Sequence, residues 1–197
     1  NCMKLLKNKT DQEIIHLYIQ GDENGLKELV DRYKRKVYTS IYVRVKDSYL
    51  AEDLFQDTFI KVINTIKSGR YNEEGKFLPW VMRVAYNVVI DHFRKQKRAP
   101  TIVNSDGYDI FEVLVFSDDN AENVMVKNQI DKDLKRIIQL LPDDQKEVLI
   151  MRHFCGMSFK EIAEITDVSI NTALGRMRYA LANLRRKIEE HNLTFHF

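Results

Sequence analysis

FLPWVMRVAYNVVIDHFRKQKR, residues 77–98, has the periodicity of a helix with two different faces. At about 100° per residue, one face collects the apolar side chains and predicts a stripe that packs into a core. The stripe comprises Phe77, Val81, Met82, Ala85, Val88, Val89 and Phe93. The opposite face carries the only tryptophan, which we expect to be exposed, among polar residues: Trp80, Arg83, Asn87, Asp91 and Arg94.

This tryptophan face has two interpretations. Aromatic rings stack on unpaired bases while arginines hold the backbone, and each stacked base contributes roughly 1 to 3 kcal/mol. The basic end of the helix, from Arg94 to Arg98, also favours a polyanion. The face is therefore a candidate site for single-stranded DNA. A protein interface or a half-buried tryptophan would explain the same pattern.

The third predicted helix, which precedes residues 77–98, also has two faces. Thr10 with Glu13 predicts a capped first helix that ends near Gly21, a second helix follows over residues 23–43, and Ser48 can cap a third over residues 49–67. Outside the third helix's apolar stripe lie Asp53, Gln56, Asp57, Ile60 and Asn64. Acids beside an exposed isoleucine are either plain surface or a docking face for a basic partner helix.

Downstream, the character of the sequence changes. Residues 99–130 hold six acidic residues against Lys127, and their helical periodicity fades, which predicts a linker. Periodicity returns near Asn123 and runs to Leu141. Pro142 suits the first position of another helix, which Gly156 would end.

The C-terminal segment predicts a helix-turn-helix. Ser158 and Glu161 form a capping box for a short helix over residues 159–165, a tight turn follows, and Ser169 can cap a long helix. We expect its inward face to be Ile170, Leu174, Met177, Leu181, Leu184 and Ile188. The expected outer face is Asn171, Thr172, Gly175, Arg176, Arg178, Tyr179, Asn183, Arg185 and Arg186.

The charge of this last helix points to its partner. Residues 169–187 contain five basic residues and no acidic one. A basic outer face on the second helix of such a motif suits docking in the major groove. The alternative is a helical hairpin with a solvated charged face.

Composition limits the remaining possibilities. With 7 glycines, 3 prolines and no sustained two-residue alternation, the 197 residues predict an all-α protein. Two cysteines exclude a disulfide framework. There is no span-length apolar run and no signal-type N-terminus, so we expect a cytoplasmic protein without membrane insertion. No glycine-rich phosphate loop or metal-ligand spacing is present, so we expect neither catalysis, nor a cofactor, nor a metal.

Taken in order, three stretches resemble the group IV, or extracytoplasmic-function, sigma factors of bacterial RNA polymerase. AEDLFQDTFIKVINTI, residues 51–66, resembles the core-binding part of sigma region 2, and residues 77–98 resemble the part that melts and reads the minus-10 element. LPDDQKEVLIMRHFCGMSFKEIAEITDVSINTALGRMRYALANLRRKI, residues 141–188, resembles region 4.

The resemblance implies two small helical domains joined by an acidic linker. The domains would be a region 2-like domain at residues 11–98 and a region 4-like domain at residues 131–190, with residues 1–10 and 191–197 as tails and residues 99–130 as the linker. The implied partners are core RNA polymerase, promoter DNA and an anti-sigma factor. The promoter would be double-stranded at its upstream element and single-stranded at its downstream element.

Three sets of residues take roles from the resemblance. Asp53, Gln56, Asp57 and Ile60 would contact core polymerase. Trp80, Arg83, Asn87, Asp91 and Arg94 would lie at the opened minus-10 element, and Asn171, Thr172, Gly175, Arg176, Arg178 and Tyr179 at the minus-35 element. A helix-turn-helix repressor or activator is the main alternative, and a helical enzyme acting on nucleic acid is a more distant one.

Overall fold

A computed structural model describes residues 6–72, 74–98, 133–134 and 136–191, and within these ranges the secondary structure is helical without a strand. The chain divides into two compact units, Asn1–Tyr108 and Asp109–Phe197. The predicted acidic linker, residues 99–130, lies outside the described residues, as do most of the two predicted tails and the helical periodicity expected from Asn123 to residue 132.

In the part of the first unit that the structure describes, four helices pack together. They are α1 (Asp11–Ile19), α2 (Glu23–Val45), α3 (Ser48–Lys67) and α4 (Phe77–Arg98). Helix α2 packs against the other three, and α3 packs against α4. All four helices contribute to the largest fully buried side chains, which include Ile14 of α1, Leu29 and Ile41 of α2, Val62 of α3, and Phe77 and Met82 of α4.

The caps of these helices match the sequence with one exception. Thr10 and Glu13 form the predicted capping box. The third helix, however, is capped by Asp47 and not by Ser48, because the Asp47 carboxylate accepts a hydrogen bond from the Leu50 amide at 3.0 Å. Both residues are good N-caps, so the backbone entering α3 decides between them.

A half-buried arginine ties the start of the unit to α2. The Arg32 guanidinium donates to Asp11 Oδ1 at 2.8 Å and to the Lys9 carbonyl at 3.1 Å. The Tyr33 hydroxyl donates to the other Asp11 oxygen at 2.5 Å. Burial, followed by this hydrogen bond to a carboxylate, raises the pKa of Tyr33. The entry to α1 is therefore fixed by tertiary contacts that local patterning does not reveal.

Glycine permits a close approach between α1 and α2. A Cβ placed on Gly25 would lie 2.8 Å from the Ile14 carbonyl oxygen and 3.3 Å from Tyr18 Cβ. We expect Gly25→Ala to lower the free energy of unfolding by about 1 to 3 kcal/mol, because the helices must move apart. The measurement is urea unfolding followed by circular dichroism.

Gly175→Ala is the matched control for that measurement. Gly175 is also helical, but a Cβ there would meet nothing within 4 Å. Alanine should therefore raise stability at this position by up to about 1 kcal/mol. Equal effects of the two substitutions would contradict the close approach of α1 and α2.

The second unit is a compact group of short helices before a long one. After helical residues 136–139 come α5 (Asp143–Leu149), which continues as a π-helical turn (Ile150–Phe154), then α6 (Phe159–Thr166) and α7 (Ile170–Glu190). Pro142 stands at the N-cap of α5, one position earlier than predicted. Gly156 follows the π turn with a positive φ of 75° and ends this helical segment as expected.

Helices α6 and α7 form the predicted helix-turn-helix. Ser158 and Glu161 make the capping box of α6, and Ser169 caps α7 by accepting from the Thr172 amide at 3.0 Å. Asp167 ends α6 in the left-handed conformation, with φ of 55°. Because capping and turn chemistry are local, these boundaries follow from the sequence within one residue.

Candidate functional site

The polar face of α4 is formed as the sequence predicts, apart from its tryptophan. Arg83, Asn87, Asp91 and Arg94 are exposed along one side of the helix, and Arg94 lies 3.7 Å from Asp91. The opposite side packs into the core, where Val81, Met82, Ala85, Val88 and Val89 are buried with Phe77. Phe93, expected in this stripe, is only half-buried, because it lies in the last turns of the helix.

Trp80 is half-buried and not fully exposed, as the alternative interpretation of this face predicted. Its ring lies 4.2 Å from the Tyr71 ring and 5.9 Å from the Phe77 ring, centroid to centroid. Tyr71 lies in the loop before α4 and also packs edge-on against Phe77. The rings of Tyr71 and Phe77 therefore fix the indole and leave part of it open to solvent beside the polar face.

Tyr71 is a residue of this site that the sequence pattern does not indicate. It stands nine positions before Trp80 in an irregular loop, where helical spacing carries no information. An aromatic residue in a polar, glycine-containing loop was the only available signal. A rigid, partly exposed aromatic surface next to exposed guanidinium and amide groups suits stacking on a base with contacts to its backbone.

The predicted docking face on α3 is exposed. Asp53, Gln56, Asp57 and Ile60 lie outside, and Ile60 is 54% exposed. Gln56 donates to Glu52 at 3.4 Å. Burial, followed by the carboxylates of Glu52 and Asp47, raises the pKa of nearby Tyr38. This face combines a negative field with an unpartnered apolar side chain, an arrangement suited to a basic, amphipathic partner.

The outer face of α7 differs from the prediction by rotation about the helix axis. Buried residues are Ala173, Met177 and Ala180, whereas Leu174 and Leu181 are 43% and 41% exposed. Leu174, Leu181 and Ile170 were expected inside and lie outside, so that expectation is wrong. Alanines contribute little to apolar periodicity, yet their small size suits close packing of α5 and α6 against α7.

The same rotation turns two polar residues towards α5. Arg176 is half-buried, and its Nε lies 3.4 Å from the Asp144 carboxylate. Asn183 donates to Gln145 at 2.8 Å. Both residues were expected in the outer face, and both instead take part in contacts between α7 and α5.

The residues that remain outside form the basic face of α7. They are Asn171, Thr172, Arg178, Tyr179, Arg185 and Arg186, all exposed. Gly175 is half-buried and has open space where a side chain would project. The N-terminal half of the second helix is the part that such motifs insert into the major groove. Asn171, Thr172 and Arg178 therefore have the position and the chemistry to contact bases or phosphates.

The residues that the structure describes hold neither a metal-ligand cluster nor a membrane-spanning helix. These residues bring together no group of three histidine, cysteine, aspartate or glutamate side chains that could hold a metal ion. In the same ranges, every helix is too short or too polar to cross a bilayer.

Comparisons with known proteins agree with both units. Residues 29–99 match the family Sigma-70 region 2, and residues 131–184 match Sigma-70, region 4. The ECF RNA polymerase sigma-E factor of Haemophilus influenzae is 30% identical over 91% of this chain and 96% of its own length. The ECF RNA polymerase sigma factor SigW of Bacillus subtilis is 27% identical over 87% of this chain and 92% of its own.

A solved structure has a related fold. The sigma factor RpoE of Bartonella quintana, in complex with the anti-sigma factor NepR, aligns with a TM-score of 0.59 at 19% identity, over 83% of this chain and 96% of that one. A repressor would account for the helix-turn-helix match alone and not for the match to region 2. This chain therefore belongs to the ECF sigma factors of the sigma-70 family and is an alternative sigma factor of RNA polymerase.

Proposed function

We propose that three exposed faces divide the work of initiation. The α3 face, with Asp53, Gln56, Asp57 and Ile60, binds core RNA polymerase. The α4 face, with Trp80, Arg83, Asn87, Asp91 and Arg94, holds the melted strand of the downstream element. The α7 face, with Asn171, Thr172, Gly175 and Arg178, reads the double-stranded upstream element, and Tyr179 lies beside it.

The observation that carries this proposal is the α4 face. A partly exposed indole, fixed by Tyr71 and Phe77, stands beside exposed Arg83 and Asn87. A protein that only binds duplex DNA needs no aromatic surface for stacking on bases. A factor that stabilises melted DNA needs one. Transcription initiation by purified core enzyme in the presence of this chain tests the function, because a repressor does not enable core enzyme to initiate.

The domain assignment follows from the same division. Residues 11–98 would act as the core-binding and melting domain, residues 131–190 as the upstream-binding domain, and residues 99–130 as the link between them. The chain would perform no catalysis itself, because the polymerase forms the phosphodiester bonds. It would work in the cytoplasm, where the polymerase and the promoter are.

Regulation by an anti-sigma factor is part of the proposal. The Bartonella quintana structure contains a sigma factor with its anti-sigma factor, and its fold is similar to this chain. A partner that covers the α3 face would exclude core polymerase, since both would compete for Asp53, Asp57 and Ile60. Purification of the chain from its native cell, with mass spectrometry of the bound proteins, tests this part.

The proposed contact of α7 with the upstream element predicts that removal of one exposed arginine weakens DNA binding. Arg178 is exposed, whereas Arg176 is tied to Asp144. Arg178→Ala should weaken holoenzyme binding to the upstream element by about threefold to tenfold without affecting core binding, because one cation leaves the interface. The measurement is equilibrium binding over a series of salt concentrations, and a phosphate contact predicts that the salt slope falls by about 1.

Arg152→Ala is the control for charge alone. Arg152 lies in the π-helical turn, outside α7. Its guanidinium donates to the Met157 carbonyl at 2.8 Å and stacks on the Phe159 ring. Arg152→Ala should leave the salt dependence of holoenzyme binding to the promoter unchanged. An unchanged slope and affinity in Arg178→Ala would remove Arg178 from the DNA interface.

A further inference from the structure

Leu174 is an exposed leucine in the N-terminal half of α7, which the proposed function places at the upstream element. The side chain is 43% exposed, although helical spacing predicted it inside. It lies one turn from Asn171 and one turn from Arg178, and both of these are exposed on the same side of the helix. An apolar side chain thus stands between two residues with the chemistry to contact DNA.

The surroundings of Leu174 are apolar on one side and basic on the other. With Phe159, Met177 and Leu181 it lines a shallow depression of about 340 Å³ between α6 and α7, beside Arg178 and Arg185. A leucine cannot donate or accept a hydrogen bond. In the major groove, the apolar group available to it is the 5-methyl of thymine.

We propose that Leu174 is a specificity-determining residue that reads a thymine methyl group in the upstream promoter element. The proposal rests on the placement of α7 in the major groove and adds a base preference to it. Asn171 and Arg178 bind polar edges or phosphates on either side, while Leu174 removes the methyl group from water. Removal of one methyl contact should weaken binding about threefold to fivefold.

The test replaces thymine by deoxyuridine, which lacks only the 5-methyl group. The promoter is first obtained by selection of DNA with the holoenzyme, made from core polymerase and the full chain. Each thymine of the upstream element, on either strand, is then replaced singly. We expect one position at which the unsubstituted chain binds threefold to fivefold more weakly.

Leu174→Ala should weaken binding to the thymine promoter by a similar factor and lose its sensitivity to deoxyuridine at that position. Leu174→Met keeps an apolar side chain and should retain the sensitivity. Leu181→Ala is the matched control, because this leucine is equally exposed but two turns further from the N-terminus of α7. It should leave the sensitivity unchanged.

Three outcomes would overturn the proposal. The selected element could lack a thymine sensitive to deoxyuridine, or Leu174→Ala could retain the full sensitivity. Leu174→Ala could also weaken assembly with core polymerase while the deoxyuridine profile stays unchanged, which would make the depression a protein-docking site. If Arg178→Ala has its expected effect in any of these cases, only the role of Leu174 fails and the placement of α7 stands.

Discussion

Trp80→Ala should slow open-complex formation on duplex promoter DNA by about tenfold to a hundredfold. One stacked base contributes roughly 1 to 3 kcal/mol, and alanine removes the stacking surface. Binding to core polymerase should change by less than about twofold, because α3 carries that contact. The measurement is the rate at which permanganate-reactive thymines appear in the downstream element after the holoenzyme is mixed with promoter.

Two controls separate melting from misfolding. On a template whose downstream element is already unpaired, the defect of Trp80→Ala should shrink if the indole assists melting. Trp80→Phe keeps a ring against Tyr71 and should retain most of the rate. A defect of equal size on duplex and pre-melted templates would contradict the melting role of Trp80.

The second large effect concerns α3. Reversal of both charges, Asp53→Arg with Asp57→Arg, should weaken binding to core polymerase by at least about tenfold. Both carboxylates are exposed, so substitution leaves the core of the unit intact, but like charges then face a basic partner. The measurement is competition with a labelled chain for purified core enzyme, followed by fluorescence anisotropy at two salt concentrations.

Asp31→Arg is the control for charge reversal at another exposed acid of the unit. Asp31 is an exposed acid of the same unit, on α2, and it pairs with Lys34 at 2.8 Å. It should leave the affinity for core polymerase within about twofold. A double α3 variant that also binds within twofold would show that core polymerase contacts another surface.

Local signals made most of this fold predictable. The capping boxes at Thr10 and Ser158 define helix starts, because the side chains that make them lie within three residues of each other. The long apolar stripe of α4 has one helical register, and the structure reproduces its buried residues from Phe77 to Val89. The polar face of α4 and the exposed face of α3 follow directly from those registers.

Tertiary contacts explain where prediction from sequence fails. On α7, the predicted leucines and the buried pair Ala173 and Ala180 both lie at helical spacing from Met177, so periodicity cannot choose between them. Packing of α5 and α6 selects the smaller side chains and turns Leu174 outward. Likewise, the pairing of Tyr71 with Trp80 depends on the path of a loop and has no signature in spacing.

The most direct test of the sigma-factor function is single-round runoff transcription with purified core polymerase. The template carries the promoter selected by the holoenzyme, and the control template has a scrambled upstream and downstream element. We expect a transcript of defined length only when core enzyme and this chain are both present, and only from the selected promoter. Transcription that is independent of the chain, or absent with it although the chain binds core enzyme, would contradict the account.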